Sequence, residues 1–158
     1  MMQKSSFLIS KVAQGDIPAV AALERECFSS PWSEDALRDT MNSNDNIFLV
    51  AKEEGVVCGY VGCYYVIDEG YITNVAVSER FRRRGVARAL INELICLAES
   101  AGLSFVTLEV RSLNSAARKL YEGLGFKEVG CRPHFYENPT DDAILMTCYI
   151  NKNTCERK

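Results

Sequence analysis

Several residue patterns that define common protein classes are scarce or absent in this 158-residue chain. Its single histidine, His134, excludes a site with two histidine ligands within one chain, and a serine or cysteine hydrolase would have to use that residue as its base. No run of 18 apolar residues occurs, which excludes a membrane-spanning helix. The first ten residues, MMQKSSFLIS, lack the apolar core of a secretory signal.

The cysteine pattern also excludes two classes of small protein. Seven cysteines are present, an odd number, and no CxxC pair occurs, so neither a full disulfide framework nor a zinc ribbon fits. We therefore expect no metal, a cytoplasmic location and reduced thiols that serve as small apolar residues. The length predicts one domain over residues 1–150, followed by a polar tail over residues 151–158.

The charge of the chain is unevenly distributed. Its net charge is −3, yet five arginines and no acidic residue lie between Arg80 and Arg88. The remaining 13 basic and 21 acidic residues leave −8 on the rest of the chain. A cationic loop on an acidic body predicts one anionic ligand at one place, and it argues against a broad nucleic-acid-binding face. We also expect no membrane partner.

The pattern of apolar residues predicts a mixed α/β fold. Residues 47–52, 56–67 and 71–77 form a predicted antiparallel meander, since short turns join them. A helix over 85–101 then leads to a strand over 105–110, and such a crossover makes the strands 71–77 and 105–110 parallel. The result is a mostly antiparallel sheet with helices on both faces. The other predicted elements are a strand over 7–12, helices capped by Asp16 and Ser33, a helix over 114–124, and a final antiparallel pair over 126–132 and 143–149.

The arginine-rich segment connects a predicted strand to an amphipathic helix. Its spacing is Arg82-x-x-Gly85-x-Ala87. The unpaired N–H groups at a helix N-terminus bind diphosphate, and Gly85 permits a close backbone approach. The segment fits neither GxxxxGK[ST] nor GxGxxG. The alternative is a solvated basic turn before a surface helix.

This segment resembles the acyl-CoA loop of the GCN5-related N-acetyltransferases, whose pattern is Gln/Arg-x-x-Gly-x-Gly/Ala. Further motifs resemble the ribosomal-protein-alanine N-acetyltransferases of that superfamily: PWSE at 31–34, LEVR at 108–111, LYEGLGF at 120–126 and DAILM at 142–146. The resemblance covers about residues 7–150. The chain departs from it at Ala87, where glycine is frequent, and at Arg82, where glutamine is common.

The resemblance implies acetyl-CoA as a co-substrate, bound near the parallel strand pair. Asn114 is one implied contact, although by itself it is an equally good N-cap for the following helix. The implied contacts on the preceding strand and loop are Val75, Ala76, Val77, Arg83, Arg84, Gly85, Val86, Ala87 and Arg88.

Amide formation requires an amine that has lost its proton, a stabilised oxyanion and a leaving thiolate. Glu109 is the candidate base, because it alternates with Leu108 and Val110 on an interior strand, where an unpaired carboxylate is uncommon. An ion pair with Arg111 or with another neighbouring cation is the alternative. A backbone N–H near Val75 is the candidate oxyanion donor.

Tyr121 is the candidate acid, and the resemblance implies the same role. A phenol with a pKa near 10 stays protonated and can donate to a thiolate. The alternative is a tyrosine that packs its ring and leaves its hydroxyl in water. The cysteines lack a convincing base nearby in the sequence, so direct transfer in a ternary complex is favoured over an acylated cysteine.

The implied reaction is acetylation of the N-terminal alanine of a small-subunit ribosomal protein. An acidic body suits a basic peptide. Trp32 and Tyr136 either line the peptide groove or pack in the protein, and His134 is either a substrate-side group or simply exposed. The alternatives are acetylation of a small amine or of lysine, and a non-catalytic acyl-CoA-binding subunit. The sequence does not predict an oligomeric state.

Overall fold

The structure is a computed structural model that describes residues 7–150. Within that range the elements are β1 (Leu8–Lys11), α1 (Ile17–Cys27), α2 (Glu34–Asn42), β2 (Asn46–Glu53), β3 (Val56–Val66), β4 (Glu69–Val77), α3 (Val86–Ser100), β5 (Phe105–Arg111), α4 (Ser115–Gly123), β6 (Lys127–Tyr136) and β7 (Asp141–Tyr149). Every predicted strand and helix is found, with boundaries that differ by a few residues. The single domain over 1–150 stays a prediction, and the predicted tail lies outside the described residues.

The chain divides into two compact units. The first combines the chain up to Tyr64 with Thr73–Leu94, and the second combines Tyr65–Ile72 with the chain from Ile95 onward. The strand order is β1-β2-β3-β4 in the first unit and β4-β5-β7-β6 in the second, because β4 contributes to both.

In the first unit, α1 packs with the antiparallel strands β2 and β3. Ile17, Val20 and Leu23 are buried at helical spacing, and the rings of Phe48 and Tyr60 meet edge to face, with 5.6 Å between their centroids. Each large apolar side chain buried here contributes about 1.5–3 kcal/mol of stabilisation.

The predicted helix caps have different outcomes. Ser33 Oγ accepts a hydrogen bond from Ala36 N at 3.1 Å, which confirms the cap of α2. Asp16 occupies the N-cap position of α1, but its side chain does not cap that helix. Its carboxylate instead accepts from Ala13 N at 2.8 Å and pairs with Lys52 Nζ at 2.7 Å. The Asp16 carboxylate therefore pairs with Lys52 of β2 and does not cap α1, so this predicted cap is wrong.

The second unit contains the predicted parallel pair. Glu69–Tyr71 pair in parallel with Phe105–Thr107, whereas β5 pairs antiparallel with β7 from Phe105 opposite Tyr149 to Arg111 opposite Ala143. β6 and β7 are also antiparallel. The mixed α/β class and the mostly antiparallel sheet are confirmed. Across residues 7–150, no helix is long and apolar enough to cross a membrane.

Candidate functional site

The arginine-rich loop of the first unit ends in an open helix N-terminus. Gly85 adopts φ +83°, and the neighbouring Arg83 adopts φ +64°, in the left-handed region that ordinary residues avoid. In α3 the amide of Ala89 donates to Gly85 O at 3.0 Å. The helical amides before it, those of Val86, Ala87 and Arg88, are left without a helical acceptor. These amides suit the diphosphate that the sequence predicts.

Two arginines of the loop are engaged by the protein itself. Arg82 Nε donates to Val77 O at 3.1 Å, and Arg84 pairs with Glu53 at 2.6 Å. These side chains brace the loop against β2 and β4 instead of extending freely into solvent. Within residues 7–150, Arg83 and Arg88 make no side-chain hydrogen bond or ion pair, and both are exposed. Their guanidiniums are available to an anion.

Residues 75–77 of β4, which are predicted to bind the coenzyme, lie close to Gly59 of β3. Ala76 is buried, while Val75 and Val77 are partly exposed. Gly59, on β3, lies so close that a Cβ at this position would be 2.8 Å from Ala76 O and 3.1 Å from Val86 Cγ1. A glycine at position 59 therefore sets the position of this backbone.

Glu109 lies in the second unit, on β5, between two neighbouring strands. Leu108 and Val110 are buried on one face, and Glu109 points to the other, as alternation predicts. Tyr71 donates its hydroxyl hydrogen to Glu109 Oε1. Glu109 Oε2 is buried and has no hydrogen-bond partner among the described residues. A buried carboxylate oxygen without a donor is costly and is a position where a substrate proton can be received.

The predicted alternative for Glu109, an ion pair with Arg111, is not found. Arg111 instead donates to Pro139 O at 2.8 Å and Glu137 O at 3.1 Å. Its guanidinium also lies 4.5 Å from the centre of the Tyr136 ring. The cation closest in sequence is therefore committed to the β6–β7 connection and to an aromatic ring.

Tyr121, on α4, is also in the second unit and is only 8% exposed. Its ring packs against Phe126 with 5.8 Å between centroids, so the expected packing of the ring is found. Burial, with a smaller effect of Tyr136, raises the pKa of Tyr121 to about 12. Burial and then the charge of Glu109 raise the pKa of Tyr136. Tyr136 thus interacts electrostatically with both candidate catalytic residues.

Asn114 and His134 both make hydrogen bonds within the protein. Asn114 Oδ1 accepts from Ala117 N at 3.1 Å and caps α4, as its alternative role predicts. His134 is exposed, has φ +54°, and donates its backbone N–H to Asp142 at 2.9 Å.

Sequence reasoning missed two residues. The sequence places Tyr71 only at the start of the predicted strand 71–77. Its contact with Glu109 follows from the parallel register of Tyr71 with Thr107, and strand patterns alone do not fix that register. Glu24, on α1, is fully buried and accepts three hydrogen bonds. Its position within an apolar helical stripe was the available signal.

The cysteines have mixed outcomes. Cys58, Cys63 and Cys148 are buried, in agreement with the expected packing role, whereas Cys131 is exposed and Cys155 lies outside the described residues. Across residues 7–150, no group of three or more histidine, cysteine, aspartate or glutamate residues could hold a metal ion.

Comparisons with known proteins agree with this architecture. The ribosomal protein bS18-alanine N-acetyltransferase of Escherichia coli (strain K12) is 33% identical over 145 residues, which cover 90% of this chain and 97% of that relative. The crystal structure of the ribosomal-protein-S18-alanine N-acetyltransferase from Escherichia coli matches with a TM-score of 0.84 at 32% identity, over 92% of this chain and 94% of that chain.

A structure from Salmonella typhimurium, solved with its cofactor acetyl-CoA, has a TM-score of 0.84. It is 19% identical, over 94% of this chain and 96% of that chain, and shows the fold alone. The acetyltransferase (GNAT) family, which uses acetyl-CoA, matches residues 17–126. That match spans more than half of the sequence, and the chain therefore belongs to the acetyltransferase (GNAT) family of acyltransferases.

Proposed function

We propose that this chain transfers the acetyl group of acetyl-CoA to the N-terminal alanine of a small-subunit ribosomal protein, directly and within a ternary complex. Relatives at about one third identity, matched over almost their whole length, are named as N-acetyltransferases of ribosomal protein S18 alanine. The observation that carries the proposal is Glu109 Oε2, a buried carboxylate oxygen with no donor among the residues described. A cytoplasmic location fits a ribosomal substrate.

Bound acetyl-CoA supplies an acetyl group activated as a thioester. The residues present suit it: the N-terminus of α3 offers unpaired amides, Gly85 has the positive φ of a close turn, and the guanidiniums of Arg83 and Arg88 have no hydrogen-bond or ion-pair partner among residues 7–150. We assign the diphosphate to the backbone of 83–88 and to the side chains of Arg83 and Arg88. The backbone of 75–77 is assigned to the pantetheine arm, with an N–H near Val75 as the oxyanion donor. Asn114 caps α4 with its oxygen, so only its NH₂ group is assigned to the coenzyme.

Glu109 is assigned as the base, acting directly or through a water. An α-amino group has a pKa of about 8, against about 10.4 for lysine, so removing its proton at neutral pH costs roughly 1–1.5 kcal/mol. A single carboxylate suffices for that step, whereas a lysine side chain would cost several kcal/mol. Glu109 therefore favours an N-terminal amine as the acceptor.

Tyr121 is assigned as the hydroxyl that donates a hydrogen bond to the leaving thiolate. Its pKa of about 12 keeps the hydroxyl protonated at every physiological pH. Complete transfer of this proton to a free thiolate with a pKa near 8.5 would be uphill by roughly 5 kcal/mol. Tyr121 therefore donates a hydrogen bond to the sulfur while the C–S bond breaks, and coenzyme A leaves as a thiolate that takes its proton from water.

Two partly or fully buried cysteines support direct transfer. Burial raises the pKa of Cys27 and of Cys58. A raised pKa keeps these thiols protonated, and the thiolate is the nucleophilic form. Neither is therefore suited to carry an acetyl group between the two substrates.

A competition experiment tests the proposal. The protein is incubated with acetyl-CoA and an equimolar mixture of a ribosomal peptide that begins with alanine, the same peptide with a blocked N-terminus and lysines retained, and a polyamine. Mass spectrometry then locates new acetyl groups. The proposal expects one acetyl group, on the free α-amine. Acetylation of lysine or of the polyamine instead, or no turnover at all, would contradict it.

A further inference from the structure

A buried carboxylate with no role in the reaction lies near the end of α1. Glu24 is 0% exposed, and both of its oxygens are used. Oε2 accepts from Tyr60 Oη at 2.6 Å and from Asn74 Nδ2 at 2.9 Å, and Oε1 accepts from the backbone N–H of Trp32 at 2.9 Å. All three donors are neutral. Such a carboxylate adds little stability over an apolar side chain, so its value lies in the groups that it positions.

One of these groups belongs to the segment that joins α1 to α2. Residues 28–33 form no helix or strand, and their aromatic side chains, Phe28 and Trp32, are each 36% exposed. The bond from Trp32 N to Glu24 anchors the backbone of this segment to α1. A segment without regular structure depends on such anchors for a defined position.

The second group links the segment to β4. Asn74 immediately precedes the backbone of 75–77 that we assign to the coenzyme. Two hydrogen bonds, from Trp32 to Glu24 and from Asn74 to Glu24, therefore fix the aromatic segment relative to that strand. All of these residues belong to the first unit.

We propose that Glu24 is a positioning residue for the acceptor: it holds residues 28–33 beside β4, so that Phe28 and Trp32 form an apolar wall for the first residues of an N-terminal peptide. The inference rests on the proposed function, since it assumes a peptide acceptor. An alanine N-terminus carries a small apolar side chain, and aromatic surface is suited to contact it.

Trp32 provides a direct readout, because it is the single tryptophan of the chain. Glu24→Met introduces a side chain that resembles glutamate in chain length and in helix propensity, but it removes both acceptors. Tyr60→Phe removes one donor to Glu24 and leaves the bonds to Trp32 and Asn74. Asp16→Asn alters another buried carboxylate of the same unit, one that is paired with Lys52 and makes no hydrogen bond or ion pair with residues 28–33.

We expect Glu24→Met to shift the Trp32 emission to longer wavelength, to increase its quenching by acrylamide and to raise the peptide KM about tenfold, the size expected for losing a hydrogen bond to a charged group. The Kd for acetyl-CoA should change by less than about twofold. Tyr60→Phe and Asp16→Asn should lower thermal stability and leave both Trp32 quenching and the peptide KM unchanged.

If Glu24→Met does not fold, Glu24→Gln and Asn74→Ala are measured by the same readouts. Unchanged Trp32 quenching and unchanged peptide KM in folded Glu24 variants of an active enzyme overturn this inference alone. A wild-type protein that acetylates no N-terminal peptide overturns the proposed function first, which separates the two failures.

Discussion

Tyr71 and Glu109 form a hydrogen-bonded pair that uses one carboxylate oxygen and leaves the other buried and without a donor among the described residues. The pair exists because Tyr71 lies opposite Thr107 in the parallel register of β4 and β5, two residues before Glu109. The tyrosine thereby fixes the orientation of the carboxylate while Oε2 remains able to accept a proton.

Glu109→Gln should lower kcat by about 10- to 1000-fold, because an amide cannot take the proton of the amine. Binding of acetyl-CoA, measured by isothermal titration calorimetry, should be retained. Tyr71→Phe keeps the carboxylate but frees its orientation, so we expect a smaller loss, on the order of tenfold. Full activity of Glu109→Gln, or an equal loss in both variants, would contradict these roles.

Tyr121→Phe should lower kcat by about 10- to 1000-fold with little change in the Kd for acetyl-CoA. Because the folded pKa of about 12 exceeds the ordinary value of 10, the folded state binds this proton more tightly than the unfolded state. That contribution to stability is present below pH 10 and is lost as the pH rises from 10 to 12. Urea unfolding of the wild type and Tyr121→Phe at pH 9 and pH 11 should therefore show a stability difference that shrinks with pH. A constant difference would refute the raised pKa.

Arg83→Ala and Arg88→Ala should each raise the Kd for acetyl-CoA roughly tenfold or more, since their guanidiniums are available to phosphate. Arg84→Ala should have a smaller effect on that Kd, because its side chain is already paired with Glu53 and only its backbone is assigned to the ligand. Titrations with dephospho-CoA would separate contacts to the 3′-phosphate from contacts to the diphosphate. Equal effects at all three positions would indicate a general charge effect.

Ile67→Asn should stabilise the protein by about 0.5–1 kcal/mol. Ile67 is a β-branched residue in the two-residue turn between β3 and β4, with φ +58° and 88% exposure. Asparagine tolerates this left-handed conformation far better, and almost no packing is lost. Ile67→Ala is the control, since it removes the apolar side chain but keeps the unfavourable backbone. Thermal unfolding that gives both variants the same gain would point to lost surface hydrophobicity instead.

The sequence predicts those features that depend on neighbouring residues. The turn at Gly85, the apolar stripe of α3 and the Ser33 cap are local, and all three are found. The parallel pairing of β4 with β5 follows from the crossover and is also found, but side-chain contacts between distant residues are not predicted. Asp16 forms an ion pair with Lys52 instead of capping its helix, and Arg84 forms an ion pair with Glu53. The contact of Tyr71 with Glu109 needs a strand register that apolar alternation leaves open.

Gly59 has a consequence for mutational screens. Any Cβ there would clash with the carbonyl oxygen of Ala76 at 2.8 Å and crowd the Val86 side chain at 3.1 Å, and the backbone around both positions is assigned to the coenzyme. A Gly59→Ala protein would consequently lose turnover while retaining every reactive group. In a mutational scan scored only by activity, position 59 on β3 would look like a catalytic residue. A direct measurement of the Kd for acetyl-CoA would show that the loss comes from displaced backbone at the coenzyme site.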